Sequence, residues 1–299
     1  MNFANVDLMT AMVTPFDDHQ QLDEKRLASL IEHLLAHGTQ GILVGGTTGE
    51  APTLTEDEKL TLLKKAADIV DGRVPIVAGT GSNSTAATIA FTKKVSQIKG
   101  IEAALVVVPY YNKPDQAGMI AHFTAVADQG GLPVIIYNIP GRVVVKMDVS
   151  TVLTLAQHPN IIGIKQCATM EEFGAIVENA PADFLVYTGE DTQSLAAKEI
   201  GGAGVISVAS HIYGDEMTAM FSAIDQGDIA MAAKYQRDLT PKMSALFSAP
   251  SPAPVKAALN HLGQPVGNPR LPILPLSTEQ TTQLFQTLNI WKNQGEIIE

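Results

Sequence analysis

Eight short apolar runs, each followed by a segment of helical character, constrain this chain more than any other feature. They are Leu8–Val13, Gly41–Val44, Val74–Ala78, Ala103–Val108, Pro133–Tyr137, Ile161–Ile164, Phe184–Tyr187 and Gly204–Val208. Each is too short for a helix and too uniformly apolar for a sheet with one wet face, which is the pattern of parallel strands buried on both sides. The intervening segments carry one apolar stripe each: Leu27, Leu30, Ile31, Leu34 and Leu35 in one, Val149, Val152, Leu153 and Ala156 in another. Thr55-Glu56-Asp57-Glu58 reads as a capping box ahead of Leu60, Leu63, Ala67 and Val70, and Gly38 as a helix stop. The strand starts recur about every 20 to 33 residues, so the expected fold is α/β, a (β/α)8 TIM barrel.

A chain of 299 residues would also suit two domains, but eight β/α units routinely form one. They occupy residues 1–225, and residues 226–299 form a C-terminal helical extension. Helical patterns there run over Ile229–Leu246, broken or kinked at Pro241, over Val255–Leu262 and over Thr278–Trp291. The Pro-rich stretches Ala249–Pro254 and Pro265–Pro275 separate them.

With 45% apolar and 17% charged residues the chain can bury a large core, so disorder is excluded as its main state. The net charge of −11 argues against a nucleic-acid partner. Cys167 is the only cysteine, so no intramolecular disulfide forms. The N-terminus lacks the basic start and apolar run of a signal peptide, and no apolar stretch nears the roughly 18 residues of a membrane span. A cytoplasmic protein with no membrane partner is expected.

In such a barrel the chemistry sits on the loops after the strands. The second strand leads into Gly45-Gly46-Thr47-Thr48-Gly49-Glu50, where close backbone approach, amides and hydroxyls suit a carboxylate or phosphate; a tight helix-capping turn is the plainer reading. Gly79-Thr80-Gly81 lacks the third glycine of a dinucleotide fingerprint, since position 84 is Ser, and no P-loop exists. His33 and His37 stand four residues apart, but without an HExxH context and on the helix of the leucine stripe, so no metal is expected. No cofactor is expected either.

Ile161-Ile162-Gly163-Ile164-Lys165 ends an apolar strand on a lysine. Partial desolvation favours the neutral amine that attacks a carbonyl, which is Schiff-base chemistry; a lysine whose stem packs on the rim while its ammonium reaches water is the alternative. Tyr137 ends the neighbouring strand, where a phenol can move protons during imine formation, or can simply be an amphipathic rim residue. Arg142 can grip a carboxylate as a bidentate fork. The joint occurrence of Lys, Tyr, Arg and an anion loop on different strand ends favours a site. Cys167 has no base visible in the sequence and reads as packing.

With these residues in view, the chain resembles the dihydrodipicolinate synthase family of pyruvate-dependent, class I aldolase-like lyases. The likeness runs from Met9–Phe16 to Leu271–Pro275. It rests on Gly-Thr-Thr-Gly-Glu (46–50), Gly-Thr-Gly-Ser-Asn (79–83), Pro-Tyr-Tyr-Asn-Lys-Pro (109–114), Tyr-Asn-Ile-Pro-Gly-Arg (137–142), Gly-Ile-Lys (163–165) and Gly-Val-Ile-Ser-Val (204–208), in that order.

The resemblance implies that Lys165 forms an imine with pyruvate, whose enamine attacks L-aspartate 4-semialdehyde on the diaminopimelate route to lysine. It further implies that Thr47, Tyr137 and Tyr111 relay protons, Tyr111 reaching in from a partner subunit. Thr47 and Thr48 would hold pyruvate's carboxylate and Arg142 the semialdehyde's, with Ile206, Gly46 and Gly189 completing the pocket. A homotetramer built as a dimer of dimers is implied too. Relatives usually follow the lysine with Glu-Ala-Ser/Thr-Gly, whereas this chain has Gln166-Cys167-Ala168-Thr169. The sister activity, cleavage of N-acetylneuraminate or 2-keto-3-deoxy sugar acids, shares the lysine and tyrosine, and a silent keto-acid-binding barrel is a third reading. Relatives inhibited by L-lysine place a glutamate where this chain has Ala87 and often a histidine where it has Lys59. Insensitivity to lysine is therefore expected, although Asn83 and Tyr110 are present beside Ala51.

Overall fold

The computed structural model describes residue 3 and residues 5–290. Eight strands, β1 (Leu8–Ala11), β2 (Gly41–Val44), β3 (Ile76–Gly79), β4 (Ile101–Val107), β5 (Val134–Asn138), β6 (Ile161–Gln166), β7 (Leu185–Thr188) and β8 (Gly204–Ser207), pair in sequence order. All the pairings are parallel, and β8 returns to β1 to close the barrel. The helices up to β8 are α1 (Glu24–Ala36), α2 (Glu56–Val70), α3 (Thr85–Val95), α4 (Gln116–Gln129), α5 (Pro140–Val143), α6 (Val149–Leu155), α7 (Met170–Asn179) and α8 (Ser194–Glu199). Then follow α9 (Ser210–Asp225), α10 (Ile229–Ala245), α11 (Ala253–His261) and α12 (Thr278–Leu288). The (β/α)8 barrel with its C-terminal helices is the architecture the periodicity predicts. Among the described residues no helix is long and apolar enough to cross a membrane.

The uniformly apolar strands divide by alternation. Met9, Leu43, Ala103, Leu105, Ile135, Tyr137, Tyr187 and Ile206 form one cluster inside the barrel. Their strand neighbours Leu8, Ile42, Val44, Ala104, Val106, Ile136 and Val186 pack outward with the helices. Ile164 belongs to the outer set, so Lys165, one residue on, turns inward, and Gln166 turns outward again.

Several boundaries move by a few residues. β1 stops at Ala11 rather than Val13, because the Val13 amide leaves the ladder and donates to His211 Nε2 at 3.1 Å. β6 continues through Gln166, since Tyr137 and Tyr187 flank Lys165 in register and Asn138 and Thr188 flank Gln166. The capping box at Thr55 is present, and Gly38, with φ +83°, follows the end of α1. Of the expected stripe at α6, Val152 and Ala156 are buried and Val149 and Leu153 half-buried, with Thr151 and Leu155 buried beside them.

Pro241 requires a correction: the helix does not break there, and α10 runs from Ile229 through it to Ala245. Pro241 and Arg237 are both exposed, so water can satisfy the Arg237 carbonyl that a proline cannot. The irregular backbone lies instead at Tyr213 within α9. Trp291, the expected end of the last helix, is outside the described residues, and α12 stops at Leu288. Leu239, Met243, Val255, Leu259, Leu284 and Leu288 of the extension join one apolar cluster with Leu30, Ile31 and Phe221, so barrel and extension share a core.

Candidate active site

A cavity of about 420 Å³ opens at the C-terminal ends of the strands. Gly45, Gly46 and Thr47 after β2, Tyr110 after β4, Tyr137 at the end of β5 and Arg142 on α5 contribute to its wall. Tight backbone packing forms one side: a Cβ on Gly79 would stand 2.1 Å from the Gly45 carbonyl oxygen, so no larger residue fits. The turn from Gly46 to Ala51 is closed by Glu50 N–H donating to Thr47 O at 3.0 Å and Ala51 N–H to Gly46 O at 3.3 Å. The Thr14 hydroxyl fastens it to the segment following β1 by donating to Gly49 O at 2.6 Å.

Lys165 is only 6% exposed, its Nζ 4.9 Å from the centroid of the Tyr137 ring. Burial holds the Tyr137 phenol above its ordinary range, while the Lys165 charge, the Thr47 hydroxyl and Arg142 pull the other way. A buried amine with a protonated phenol nearby, and a hydroxyl beside that phenol, can supply the nucleophile and the proton transfers of imine formation on a keto acid.

Lys165 fits because residue 189 has no side chain. A Cβ there would lie 2.5 Å from Lys165 Cε and 2.2 Å from Cys167 Sγ. Burial pushes the Cys167 thiol up to about 12, so it stays a thiol at neutral pH. Glu190, which accepts a hydrogen bond from that thiol, is raised by burial against the opposing charge of Lys165. Asp191 is raised by burial as well; its Oδ2 accepts from Val208 N at 3.1 Å and Ala209 N at 2.9 Å, fixing the turn after β8.

The other candidate residues are placed as follows. Gly46 and Arg142 line the cavity. Thr48 is buried next to Thr47, and Ile206 is wholly buried inside the barrel, neither of them on the cavity wall. Tyr111 is 89% exposed, far from enclosed by its own chain, and its φ of +73° is unusual for a residue with a side chain. Asn112 N–H donating to Tyr110 O at 2.9 Å closes the turn that projects it.

The departure after the lysine divides across the sheet. Gln166 faces away from the site, its Oε1 accepting from Asn138 Nδ2 at 3.0 Å, and Asn138 in turn clasps the backbone of Met147. Only Cys167 reaches Lys165's surroundings. His33 and His37 lie against α9, His33 at 2.9 Å from the His211 carbonyl oxygen and His37 at 2.7 Å from Asp215. Sequence reasoning passed over Glu190 and Asp191, although both directly follow Gly189 at the end of β7. The pairing of Glu50 with Lys256, 206 positions away, has no local signal in the sequence.

The sequence model described as the Dihydrodipicolinate synthetase family matches residues 4–291. A 4-hydroxy-tetrahydrodipicolinate synthase of Ligilactobacillus salivarius is 60% identical over 97% of this chain and 100% of its own. Among solved structures, a dihydrodipicolinate synthase from Bacillus anthracis superimposes with a TM-score of 0.94 at 43% identity, covering 98% of this chain and 100% of that one. The enzyme of Cyanidioschyzon merolae, solved with lysine bound, gives 0.93 at 39% identity, covering 97% and 99%.

Proposed function

The chain belongs to the dihydrodipicolinate synthase family, and on that premise we propose that it condenses pyruvate with L-aspartate 4-semialdehyde through a Schiff base on Lys165. Its relatives carry the name 4-hydroxy-tetrahydrodipicolinate synthase, and this chain is accordingly a pyruvate-dependent lyase of lysine and diaminopimelate biosynthesis. The observation that carries the assignment to these residues is the inward-facing, buried Lys165 in register with Tyr137, whose phenol is hydrogen-bonded to Thr47.

In this reading the neutral amine of Lys165 adds to the pyruvate C2 carbonyl, and loss of water gives the imine. Removal of a proton from C3 makes the enamine, which attacks the aldehyde carbon of the second substrate. That substrate's own amino group then adds to the imine carbon, closes the ring and releases Lys165. Each stage moves a proton to or from oxygen or nitrogen. Tyr137 is the group placed to carry it, because burial keeps its phenol protonated and Thr47 can pass the proton on. Thr47 and Thr48 receive the pyruvate carboxylate, and Arg142, exposed on the cavity wall, receives the semialdehyde's. Gly189 contributes the room that Lys165 occupies, Gly46 shapes the cavity wall, and Ile206 packs inside the barrel in the cluster that holds Tyr137.

Tyr111 completes the relay from a neighbouring subunit in a homotetramer arranged as a dimer of dimers. Its exposure and its strained turn suit a side chain whose partners lie on another copy. A cytoplasmic enzyme needing no metal or cofactor is the corresponding reading. Turnover of pyruvate with aspartate semialdehyde, measured beside cleavage of N-acetylneuraminate and 2-keto-3-deoxy sugar acids, tests the assignment. Condensation is the expected result, and sugar-acid cleavage alone would overturn it.

A further inference from the structure

The turn that carries Thr47 and Thr48 ends on a charged residue that the condensation chemistry does not use. The Glu50 side chain is 2% exposed, and its backbone sits at φ +57°, a left-handed conformation uncommon for glutamate. Its Oε1 lies 2.6 Å from Nζ of Lys256, itself 1% exposed, and its Oε2 accepts from the Arg270 amide at 2.7 Å. Both partners come from the C-terminal extension, Lys256 from α11 and Arg270 from the stretch beyond it.

The two cations lie over the Phe16 ring, Lys256 Nζ and Arg270 Cζ each 4.3 Å from its centroid. The Arg270 guanidinium is already engaged elsewhere: it donates to Glu58 at 2.6 and 3.0 Å and to the Thr53 carbonyl at 3.0 Å. Lys256 is therefore the only side-chain cation in direct contact with the Glu50 carboxylate among the described residues. An unpaired carboxylate in so dry a position would act at long range on anything anionic nearby. Thr48 is two residues away.

We propose that Lys256 is a positioning residue for the keto-acid substrate: by neutralising Glu50 from the extension, it removes an anion that would repel a carboxylate held by the Thr47-Thr48 turn. The inference rests on the reading that this turn receives pyruvate's carboxylate. It gives the extension a part in substrate affinity, besides its share of the core.

Borohydride trapping of the full-length protein, followed as a function of pyruvate concentration, tests it without the second substrate. Lys256→Met should raise the half-saturating pyruvate by about tenfold or more, with a smaller change in the trapping rate at saturation. Glu50→Gln combined with Lys256→Met removes both charges while an amide can still accept from the Arg270 backbone, and should return half-saturation to within about threefold of the parent. Leu284→Ala, a cavity in the buried face of α12 that removes no charge, should lower Tm and leave half-saturation unchanged.

Should Lys256→Met fail to fold, pH supplies the comparison. Burial pulls the Lys256 ammonium down to about 8, with Glu50 opposing and Arg270 assisting, and Glu58 faces Arg270. Between pH 7.5 and 9.5 the parent's half-saturating pyruvate should therefore rise relative to that of the double variant. Unchanged half-saturation in Lys256→Met, an equal rise in both variants, or parallel pH curves would overturn the inference. Absence of any adduct on Lys165 in the parent would instead overturn the reading beneath it.

Discussion

Replacing Gly189 by alanine tests whether the site depends on the space beside Lys165. The backbone at this position is not in the left-handed region, so an alanine meets no conformational penalty there and its effect is steric. The added methyl would stand 2.5 Å from Lys165 Cε and 2.2 Å from Cys167 Sγ, where ordinary contact begins near 3.4 Å. Lys165 must then retreat by about 0.9 Å, and a displacement near 1 Å costs on the order of 100-fold in rate when a reacting group is involved. Overpacking of this kind also costs about 1 to 3 kcal/mol of stability. Borohydride trapping at saturating pyruvate, with Tm measured alongside, reads both effects. Adding Cys167→Ala relieves the sulfur contact but not the one with Lys165, so the double variant should regain stability while trapping stays slow. A Gly189→Ala protein that traps pyruvate at the parent's rate would refute the steric argument.

Three other expectations follow. Inactive Tyr111→Phe and Lys165→Ala chains, mixed under conditions of proven subunit exchange, should regain partial activity because one site per mixed dimer has both residues intact; exchange without recovery places Tyr111 in its own chain's site. Buried His122 and His211 are each held down to about 4 from the ordinary 6.5. The unfolded chain then binds more protons between those values, so stability is present above about pH 6.5 and is lost as pH falls toward 4, by about 3 kcal/mol per histidine. Tm measured from pH 7.5 to 5 should fall, and less steeply in His122→Phe; identical slopes would contradict the assignment. Millimolar L-lysine should leave steady-state turnover essentially unchanged, because Ala87 and Lys59 line the cavity where a carboxylate would have to grip an ammonium, and the one acid there, Glu56, is engaged by Lys94. Strong sub-millimolar inhibition would show that Glu56 is released to the effector.

Most of the fold was legible because its determinants are local. Strands buried on both faces read as unbroken apolar runs, and helices with one buried stripe read as a period near 3.6. The lysine stood out for the same reason, a charge at the end of such a run. Alternation along β6 also decides which residue of the Gln166-Cys167 departure matters: Gln166 turns outward to Asn138 and Cys167 lies against Gly189.

What the sequence did not disclose depends on contacts between distant segments. Glu50 meets Lys256 across some two hundred positions, and no local pattern marks a pair whose value lies in mutual burial. Whether Pro241 would break α10 was not legible, because its cost in a helix depends on where the freed carbonyl points, and here Pro241 and Arg237 are both exposed. Tyr111 is an exposed ring on a left-handed turn, and the neighbouring subunit proposed for it leaves no local pattern in the sequence.

The central claim is that Lys165 is the amine that captures pyruvate, and mass-spectrometric mapping of the reduced adduct tests it most directly. Pyruvate with borohydride should add one reduced pyruvyl group per chain, located on the peptide containing Lys165, and Lys165→Ala should acquire none while remaining folded. An adduct on any other lysine, or full condensation activity in Lys165→Ala, would contradict the account.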